Sequence, residues 1–335
     1  MIVPRYPLTD FLFAHMHELE DVKIIEHPLR PRRWFDNLLR SAEVYLLPWW
    51  KGSLFFDEAF TAQFTDIRPE DTVLFFAVEN RKDLQIMRKF IRTSRQHVWL
   101  WNPIATYRGG ALSRRWYLHW LRRSGMHAYT FDPADAREGG IRLVRQVYRH
   151  VTAEELADGP GDAAPVDVYF LGIDKGRLPA LRQLQAGFER DGLTTRFHVI
   201  ADKRESYSDD DSAWLSPQWL SYRENLRQVV RSRALLELLQ SSGSGPTIRC
   251  LEAAFLGRKL ITDNRTMRHS DLYHPSRIFI LGEDDLAGLK AFLDAPLLPV
   301  DERVLEGYDL AHWIRQFGDA PERSGSAEVP AACRA

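Results

Sequence analysis

The stretch from Ser244 to Thr262 has the sequence SGPTIRCLEAAFLGRKLIT. It predicts, in order, a small-residue turn, a short helix, a glycine stop and a buried strand. Ser244 or Gly245 is suited to cap the helix, Pro246 fits its first position, and Gly257 fits the left-handed residue beyond its end. Such a helix start presents free N–H groups and the positive end of the helix dipole, which attract phosphate. The stretch therefore predicts an anion site.

One acid in the predicted helix is placed to reach a ligand. Ile248, Leu251 and Phe255 have the spacing of a buried stripe, and Glu252 lies beside that stripe. A carboxylate at this point is able to bind a ligand hydroxyl. The alternative is an exposed ion pair with Arg249, three residues earlier, which would be worth roughly a few tenths of a kcal/mol.

The segment Glu252-Ala253-Ala254-Phe255-Leu256-Gly257 resembles the nucleotide-sugar signature of GT-B glycosyltransferases, in which a glutamate is followed by small residues and a glycine. The resemblance implies two Rossmann-like α/β domains facing a cleft, with the glutamate holding the ribose of the donor nucleotide. In retaining members an earlier acid, separated from this glutamate by seven residues, contacts the donor sugar. This chain has Ser244 there, and Thr247 where many members have glycine, so the stereochemical outcome is left open.

Bulk composition excludes several classes of protein. The chain has 335 residues, 44% of them apolar, which is enough for two domains with separate cores. Lys and Arg number 45 against 46 Asp and Glu, and a net charge of −1 gives no reason to expect a nucleic-acid partner. Two cysteines, Cys250 and Cys333, indicate neither a disulfide framework nor a zinc site.

Motifs for other chemistries are missing from the sequence. It has no Gly-X-Ser-X-Gly elbow, no Walker lysine loop and no complete Gly-X-Gly-X-X-Gly, so hydrolase, ATPase and NAD oxidoreductase functions lack their motifs and no cofactor is expected. His269 and His274 are poorly spaced for a metal site, so we expect no metal. We expect no signal peptide and no membrane-spanning segment, and therefore a cytoplasmic protein or one peripheral at the inner face of the membrane.

Composition along the chain predicts two α/β halves. Residues 152–165 are rich in Ala, Gly, Pro and acids and predict a linker between a first domain, 1–151, and a second domain, 166–319. Residues 320–335 are expected to be a disordered tail, and 202–211 an exposed acidic loop. Short apolar runs alternate with helical segments, as in parallel sheets. The predicted strands are 22–25, 44–47, 72–78, 97–101, 127–131, 166–171, 195–200, 234–239, 259–262 and 278–281.

A second loop has the features of a phosphate site. Gly172, Lys175, Gly176 and Arg177 follow a predicted strand and precede a predicted helix, so that the glycines allow tight turning and the cations suit a diphosphate. GT-B enzymes often place such a loop at this point of the second domain, as the resemblance implies. The alternative is a solvated turn with two ordinary surface cations. The predicted donor site adds the residues of the helix start: Ser244, Gly245, Thr247, Arg249 and Glu252.

Two acids end the last predicted strand of the first half. Asp132 or Asp135 is a candidate base for an acceptor hydroxyl. The alternative, which we favour, is that an Asp-Pro step and a nearby acid cap the following helix.

Residues 107–124 combine arginines and aromatic side chains without an acid. The segment from Tyr107 to Ser124 contains five arginines interleaved with Trp and Tyr, a pattern typical of a helix at an anionic membrane surface. The resemblance allows for this as well, since some GT-B enzymes use lipid-linked acceptors. A solvent-exposed cationic helix with inward aromatics is an equal alternative, and RNA binding lacks a stacking motif.

Together these features predict a glycosyltransferase that moves a sugar from a nucleotide-sugar donor to a glycan or lipid-linked acceptor. The resemblance implies assembly of bacterial surface polysaccharide or lipopolysaccharide. A sugar-nucleotide epimerase on the same fold is one alternative. A noncatalytic GT-B-like scaffold is another, because Ser244 replaces the acid that contacts the donor sugar.

Overall fold

The computed structural model divides the chain into two compact units. It describes residues 1–16, 19, 21–28, 34–104, 110–156, 164–239 and 245–318. The first unit comprises Met1–Arg145 and the described residues from Ile314 onward, and the second comprises Gln146–Trp313. The chain therefore passes from the first unit to the second between Arg145 and Gln146, before the predicted linker. It returns to the first unit at Ile314, and no sequence feature indicated this return. Part of the predicted linker, 157–163, and the whole predicted tail lie outside the described residues.

The described part of the first unit contains a six-stranded parallel sheet in the order β2-β1-β3-β4-β5-β6. Its strands are β1 (Ile2–Pro4), β2 (Ile25–His27), β3 (Val73–Phe76), β4 (Gln96–Leu100), β5 (His127–Thr130) and β6 (Arg142–Leu143). Its helices are α1 (Pro7–Phe13), α2 (Asp36–Leu46), α3 (Glu58–Ala62), α4 (Arg81–Arg88), α5 (Gly110–Arg123) and α6 (Pro133–Gly139).

The described part of the second unit contains a five-stranded parallel sheet in the order β11-β10-β9-β7-β8. Its strands are β7 (Val166–Ile173), β8 (Thr195–Ile200), β9 (Ser232–Glu237), β10 (Lys259–Thr262) and β11 (Ile278–Ile280). Its helices are α7 (Ala153–Leu156), α8 (Leu178–Arg190), α9 (Asp209–Trp214), α10 (Tyr222–Val230), α11 (Ile248–Phe255), α12 (Leu289–Asp294), α13 (Glu302–Glu306) and α14 (Leu310–Trp313).

Both sheets confirm the predicted fold class of two Rossmann-like α/β units. Every residue of β3, β4 and β10 is buried, as expected for central strands of a parallel sheet, and β3 is a continuous apolar run in the sequence. In the second unit the core packs β7, β9 and β10 against α8 and α12 through residues such as Leu181, Leu236 and Phe292.

Two predicted strands of the first unit are corrected. A strand was predicted at residues 22–25, whereas β2 comprises Ile25–His27. Residues 44–47 fall in and just after helix α2, because the side chains that α2 buries have helical spacing. Leu39 and Val44 pack on the core and Glu43 is fully buried, whereas Leu46 is exposed. The Glu43 carboxylate accepts hydrogen bonds from the Lys89 ammonium at 2.7 Å and from two backbone amides of the 53–55 turn. These contacts fix α2 against the sheet.

Two further local predictions are corrected. Helix α11 begins at Ile248 and is capped by Thr247, whose hydroxyl accepts from the Arg249 amide at 3.1 Å; neither Gly245 nor Pro246 has the predicted position. Residues 202–211 are not simply an exposed loop, because Asp202 is buried and α9 begins within them. The prediction for Gly257 is confirmed, since its φ of +59° is left-handed.

Candidate functional site

The strand order of the second unit indicates where a ligand would bind. β7 lies between β8 and β9, so the chain reverses its direction of winding between β7 and β9. In open parallel sheets, ligands bind beyond the carboxyl ends of the strands at such a reversal, where the two following loops diverge. The loops here are the one that precedes α8 and the one that precedes α11. They carry both groups of predicted donor-binding residues, although Ser244 lies outside the described residues.

The loop after β7 makes a tight left-handed turn. Lys175 has φ of +50° and Gly176 has φ of +79°, a conformation that glycine adopts without strain. Asp174, almost fully buried, fixes the turn by accepting from the Leu178 amide at 2.5 Å and the Tyr207 hydroxyl at 3.0 Å. The sequence did not single out Asp174, although an acid directly after an apolar strand was the available signal.

Arg177 connects the two loops instead of standing free. Its guanidinium donates to the carbonyls of Ile173 and Asp174 in the first loop and of Leu238 at the end of β9. Burial lowers the pKa of Arg177. A side chain on Gly172 would meet the Arg177 guanidinium at 3.3 Å, so the glycine leaves room for this brace.

Lys175 is different from Arg177. Its side chain is exposed, and its ammonium has no hydrogen-bond partner among the residues that the structure describes. Partial burial of the ammonium, then the positive charges of Arg177 and Arg204, lower the pKa of Lys175, and the Asp202 carboxylate raises it. Asp202 is shared, because the Arg204 guanidinium is paired with it through both carboxylate oxygens. An anion bound here would add negative charge beside Lys175.

The second loop is held by a buried acid that the sequence did not reveal. Glu237, the last residue of β9, accepts hydrogen bonds from the Thr247 hydroxyl and from the Thr262 hydroxyl, the latter at 2.5 Å. Burial raises the pKa of Glu237. Asn264 donates to the Gly245 carbonyl at 3.4 Å. Because both hydroxyls are engaged, the cap residue of α11 is oriented by the sheet.

Glu252 is buried, with only 2% of its surface exposed. Its Oε1 accepts from the Tyr222 hydroxyl at 2.7 Å and from Asn225 Nδ2 at 3.0 Å, and its Oε2 accepts from the Arg249 guanidinium. Arg249 also donates to the Leu171 carbonyl of β7 at 2.9 Å. The pair therefore links α10, α11 and β7.

Two further tyrosines extend this network. The Tyr222 hydroxyl lies 2.8 Å from that of Tyr148, which donates because the Tyr222 proton points to Glu252. The Tyr169 hydroxyl donates to Asn225 Oδ1 at 3.2 Å. Burial raises the pKa of Tyr222 well above its usual value. The whole network is therefore neutral apart from one ion pair.

These contacts settle one alternative for Glu252. The exposed pair with Arg249 is wrong, because the pair exists but is buried. Three donors already satisfy much of the carboxylate, so a ribose would have to compete with them or use the remaining capacity of Oε2. The ribose role stays a prediction.

The two acids of the first unit have structural contacts. Asp132 caps α6, its Oδ1 accepting from the amides of Ala134 and Asp135 at 2.8 and 3.0 Å. Asp135 Oδ2 accepts from the Ile104 amide at 2.7 Å. These contacts correspond to the capping alternative for Asp132. Burial raises the pKa of Asp135 to about 6, which keeps it a candidate for proton transfer near neutral pH.

Helix α5 lies beside α2 and α4 in the first unit. The Arg81 guanidinium lies 4.1 Å from the Trp116 ring centroid and 5.6 Å from that of Tyr45. The arginines of α5 differ: Arg122 donates to the Gly139 carbonyl at 2.7 Å, whereas Arg115 is exposed. Large side chains on α2, on the turn that follows it and on α5 are exposed and are together called the aromatic surface below, namely Tyr45, Leu46, Trp49, Leu112 and Trp116.

Comparisons with known proteins give structural likenesses only. No protein-family model and no curated protein sequence matches the chain. The apo form of the lipopolysaccharide outer core galactosyltransferase WaaB is similar at 12% identity, with a TM-score of 0.48 over 94% of this chain and 97% of that one. AviGT4, a glycosyltransferase involved in avilamycin A biosynthesis, is similar at 14% identity, with a TM-score of 0.38 over 66% and 84%. The glycotransferase of kitacinnamycin is similar at 12% identity, with a TM-score of 0.41 over 95% and 94%.

The described ranges lack two other kinds of feature. No group of three or more His, Cys, Asp or Glu side chains there is arranged to hold a metal ion. No helix there is both long and apolar enough to cross a membrane.

We predict that Glu252→Gln lowers the melting temperature sharply. The substitution leaves the Arg249 guanidinium buried without its counter-charge, which costs about 3–5 kcal/mol. Asp294→Asn is the matched control, because it removes a carboxylate from Arg233 at 2.6 Å in an exposed pair worth about 0–1 kcal/mol. Thermal unfolding of both variants makes the comparison. Equal losses would contradict the structural role of the Glu252 pair.

Proposed function

We propose that the chain is a glycosyltransferase that transfers a sugar from a nucleotide diphosphate donor to a glycan or lipid-linked acceptor. The observation that carries the proposal is the pair of loops at the winding reversal of the second sheet, with Lys175 as an unpartnered cation among the described residues. The resemblance of the Glu252 segment to the GT-B signature adds to it. Assembly of surface polysaccharide or lipopolysaccharide belongs to the same proposal.

In this proposal the protein stabilises the leaving diphosphate. Negative charge grows on the diphosphate as the bond to the sugar breaks, so a fixed cation and helix N-termini lower the barrier. Lys175 supplies the charge, and the starts of α8 and α11 supply the dipoles. Arg177 acts chiefly through the loops it braces, because three of its five N–H donors already bind carbonyls. Gly172 and Gly176 give the first loop its shape, and Gly245 and Thr247 position the second.

An acceptor base is also proposed. Asp135 is the better of the two candidates in the first unit, because its pKa of about 6 suits proton transfer near neutrality. Asp132 is committed to the cap of α6.

A turnover assay tests the function. The full chain is incubated with nucleotide-sugar donors, with and without glycan acceptors, and the products are separated. We expect transfer that depends on the acceptor. Epimerised donor would instead identify the epimerase alternative, and donor binding without turnover would identify the noncatalytic scaffold.

Lys175→Gln is predicted to weaken nucleoside diphosphate binding at least tenfold with little change in melting temperature. A charged hydrogen bond to the diphosphate is worth about 1.5–3 kcal/mol, and the ammonium has no partner to lose among the described residues. Lys290→Gln, an exposed lysine of the same unit, is the control. Calorimetric titration gives the affinities. The same affinity in both variants would remove Lys175 from the site.

We further propose that the aromatic surface and α5 bind an anionic membrane, where a lipid-linked acceptor would be found. Trp and Tyr favour the water–lipid boundary, and arginines favour anionic head groups. Trp49 and Trp116 are 76% and 51% exposed, and Arg81 extends the cationic character beyond α5. Residues 107–109 of the predicted segment lie outside the described residues.

Arg115→Gln with Arg123→Gln is predicted to weaken binding to anionic vesicles roughly thirtyfold, at about 1 kcal/mol per arginine. Trp49→Ser with Trp116→Ser should reduce it as well. Trp219→Ser, which removes an exposed tryptophan of the second unit, should have no effect. Cosedimentation at low and high salt measures each variant. Vesicle binding that survives both pairs of substitutions would rule out this surface.

A further inference from the structure

A cavity of about 250 Å³ lies in the second unit, away from the two loops of the donor site. It is lined by the C-terminal half of α11, the start of β10 and the segment that leads to α13. Two arginines, Arg258 and Arg277, stand in a wall that is otherwise mostly apolar. The apolar side chains include Phe255, Leu260, Leu272, Ile278, Leu297 and Leu305.

Both arginines have one unsatisfied donor. The Nε atoms of Arg258 and Arg277 are buried and have no hydrogen-bond partner within the described part of the chain. The terminal nitrogens of Arg277 donate to the carbonyls of Pro299 and Tyr273 at 2.9 and 3.1 Å, and neither contact supplies a negative charge. Burial lowers the pKa of both guanidinium groups. Buried donors are normally satisfied, so two orphaned donors on one cavity indicate a missing acceptor.

The charge of the cavity is also unbalanced. Among the described residues that line it, Glu302 is the only acid, and its Oε1 lies 3.3 Å from His150 Nε2. Glu302 is 66% exposed at the side chain and so lies at the rim. A ligand inside the cavity would therefore face the two guanidinium groups of Arg258 and Arg277.

We propose that this cavity binds a small organic carboxylate with an apolar body. A carboxylate matches the planar guanidinium, and a hydrocarbon body matches the wall. A monoanion is favoured over phosphate because the apolar wall makes a second negative charge costly to bury. The site is separate from the donor loops, since Ala254 and Gly257 line the cavity while Thr247 caps the opposite end of α11.

Titration of the full chain with octanoate, in the absence of any nucleotide, tests the site. We expect a dissociation constant of about 1 mM or tighter, as befits a ligand of this size. The neutral analogue 1-octanol should bind at least tenfold more weakly. No measurable octanoate binding, or equal binding of octanol, would overturn the proposal. Neither result bears on the donor site.

Three variants locate the binding. Arg258→Gln should weaken octanoate binding about tenfold without unfolding the chain, because its guanidinium has no described partner to lose. Ala254→Leu should fill the cavity and reduce binding while keeping both arginines. Arg190→Gln, an exposed arginine on α8, should bind octanoate as the unmodified chain does. Wild-type affinity in both Arg258→Gln and Ala254→Leu would place the ligand elsewhere and overturn the assignment.

Discussion

The buried pair between Arg249 and Glu252 is the contact on which the second unit depends. The side chains of Arg249 and Glu252 are 15% and 2% exposed, so either charge alone would be unfavourable. Together the two become tolerable because other donors and acceptors complete them. Those partners come from β7 and α10. Helix α11 is thus locked in rotation about its axis, since a turn in either direction would separate Glu252 from its donors. The same contacts therefore fix the position of the N-terminus of α11.

Arg177 connects the two loops of the second unit, as the Arg249–Glu252 pair connects α11 to α10 and β7. Its donors reach the carbonyls at the ends of β7 and β9, which are the two neighbouring strands at which the winding reverses. Where two loops diverge from neighbouring strands, their backbone carbonyls have no hydrogen-bond partner on an adjacent strand. A cation that binds those carbonyls keeps the opening between the loops in one shape. Arg177, which was predicted as a phosphate ligand, therefore connects the two loops through its own hydrogen bonds.

The sequence predicted most of the second unit because its strands are rich in apolar residues and its helices carry clear stops such as Gly257. Prediction from the sequence failed where contacts with residues distant in the chain override the local sequence pattern. Residues 44–47 are apolar enough for a strand, but Glu43 is buried by Lys89 and by a turn that lies ten residues further on. The partners of Glu252 are 27 and 30 residues away along the chain, so no local spacing indicated that this acid would be buried.

Lys175 differs from three cations that the chain pairs with acids. The chain pairs Lys89 with Glu43, Arg204 with Asp202 and Arg249 with Glu252, each at a point where loop or helix position matters. Lys175 has a left-handed backbone, a conformation unfavourable for a side-chain-bearing residue, and its pKa is lowered by burial and by like charges. A glycine at this position would relieve the backbone strain. The clustered positive charges of Lys175, Arg177 and Arg204 disfavour the free ammonium, and the same charges would attract an anion.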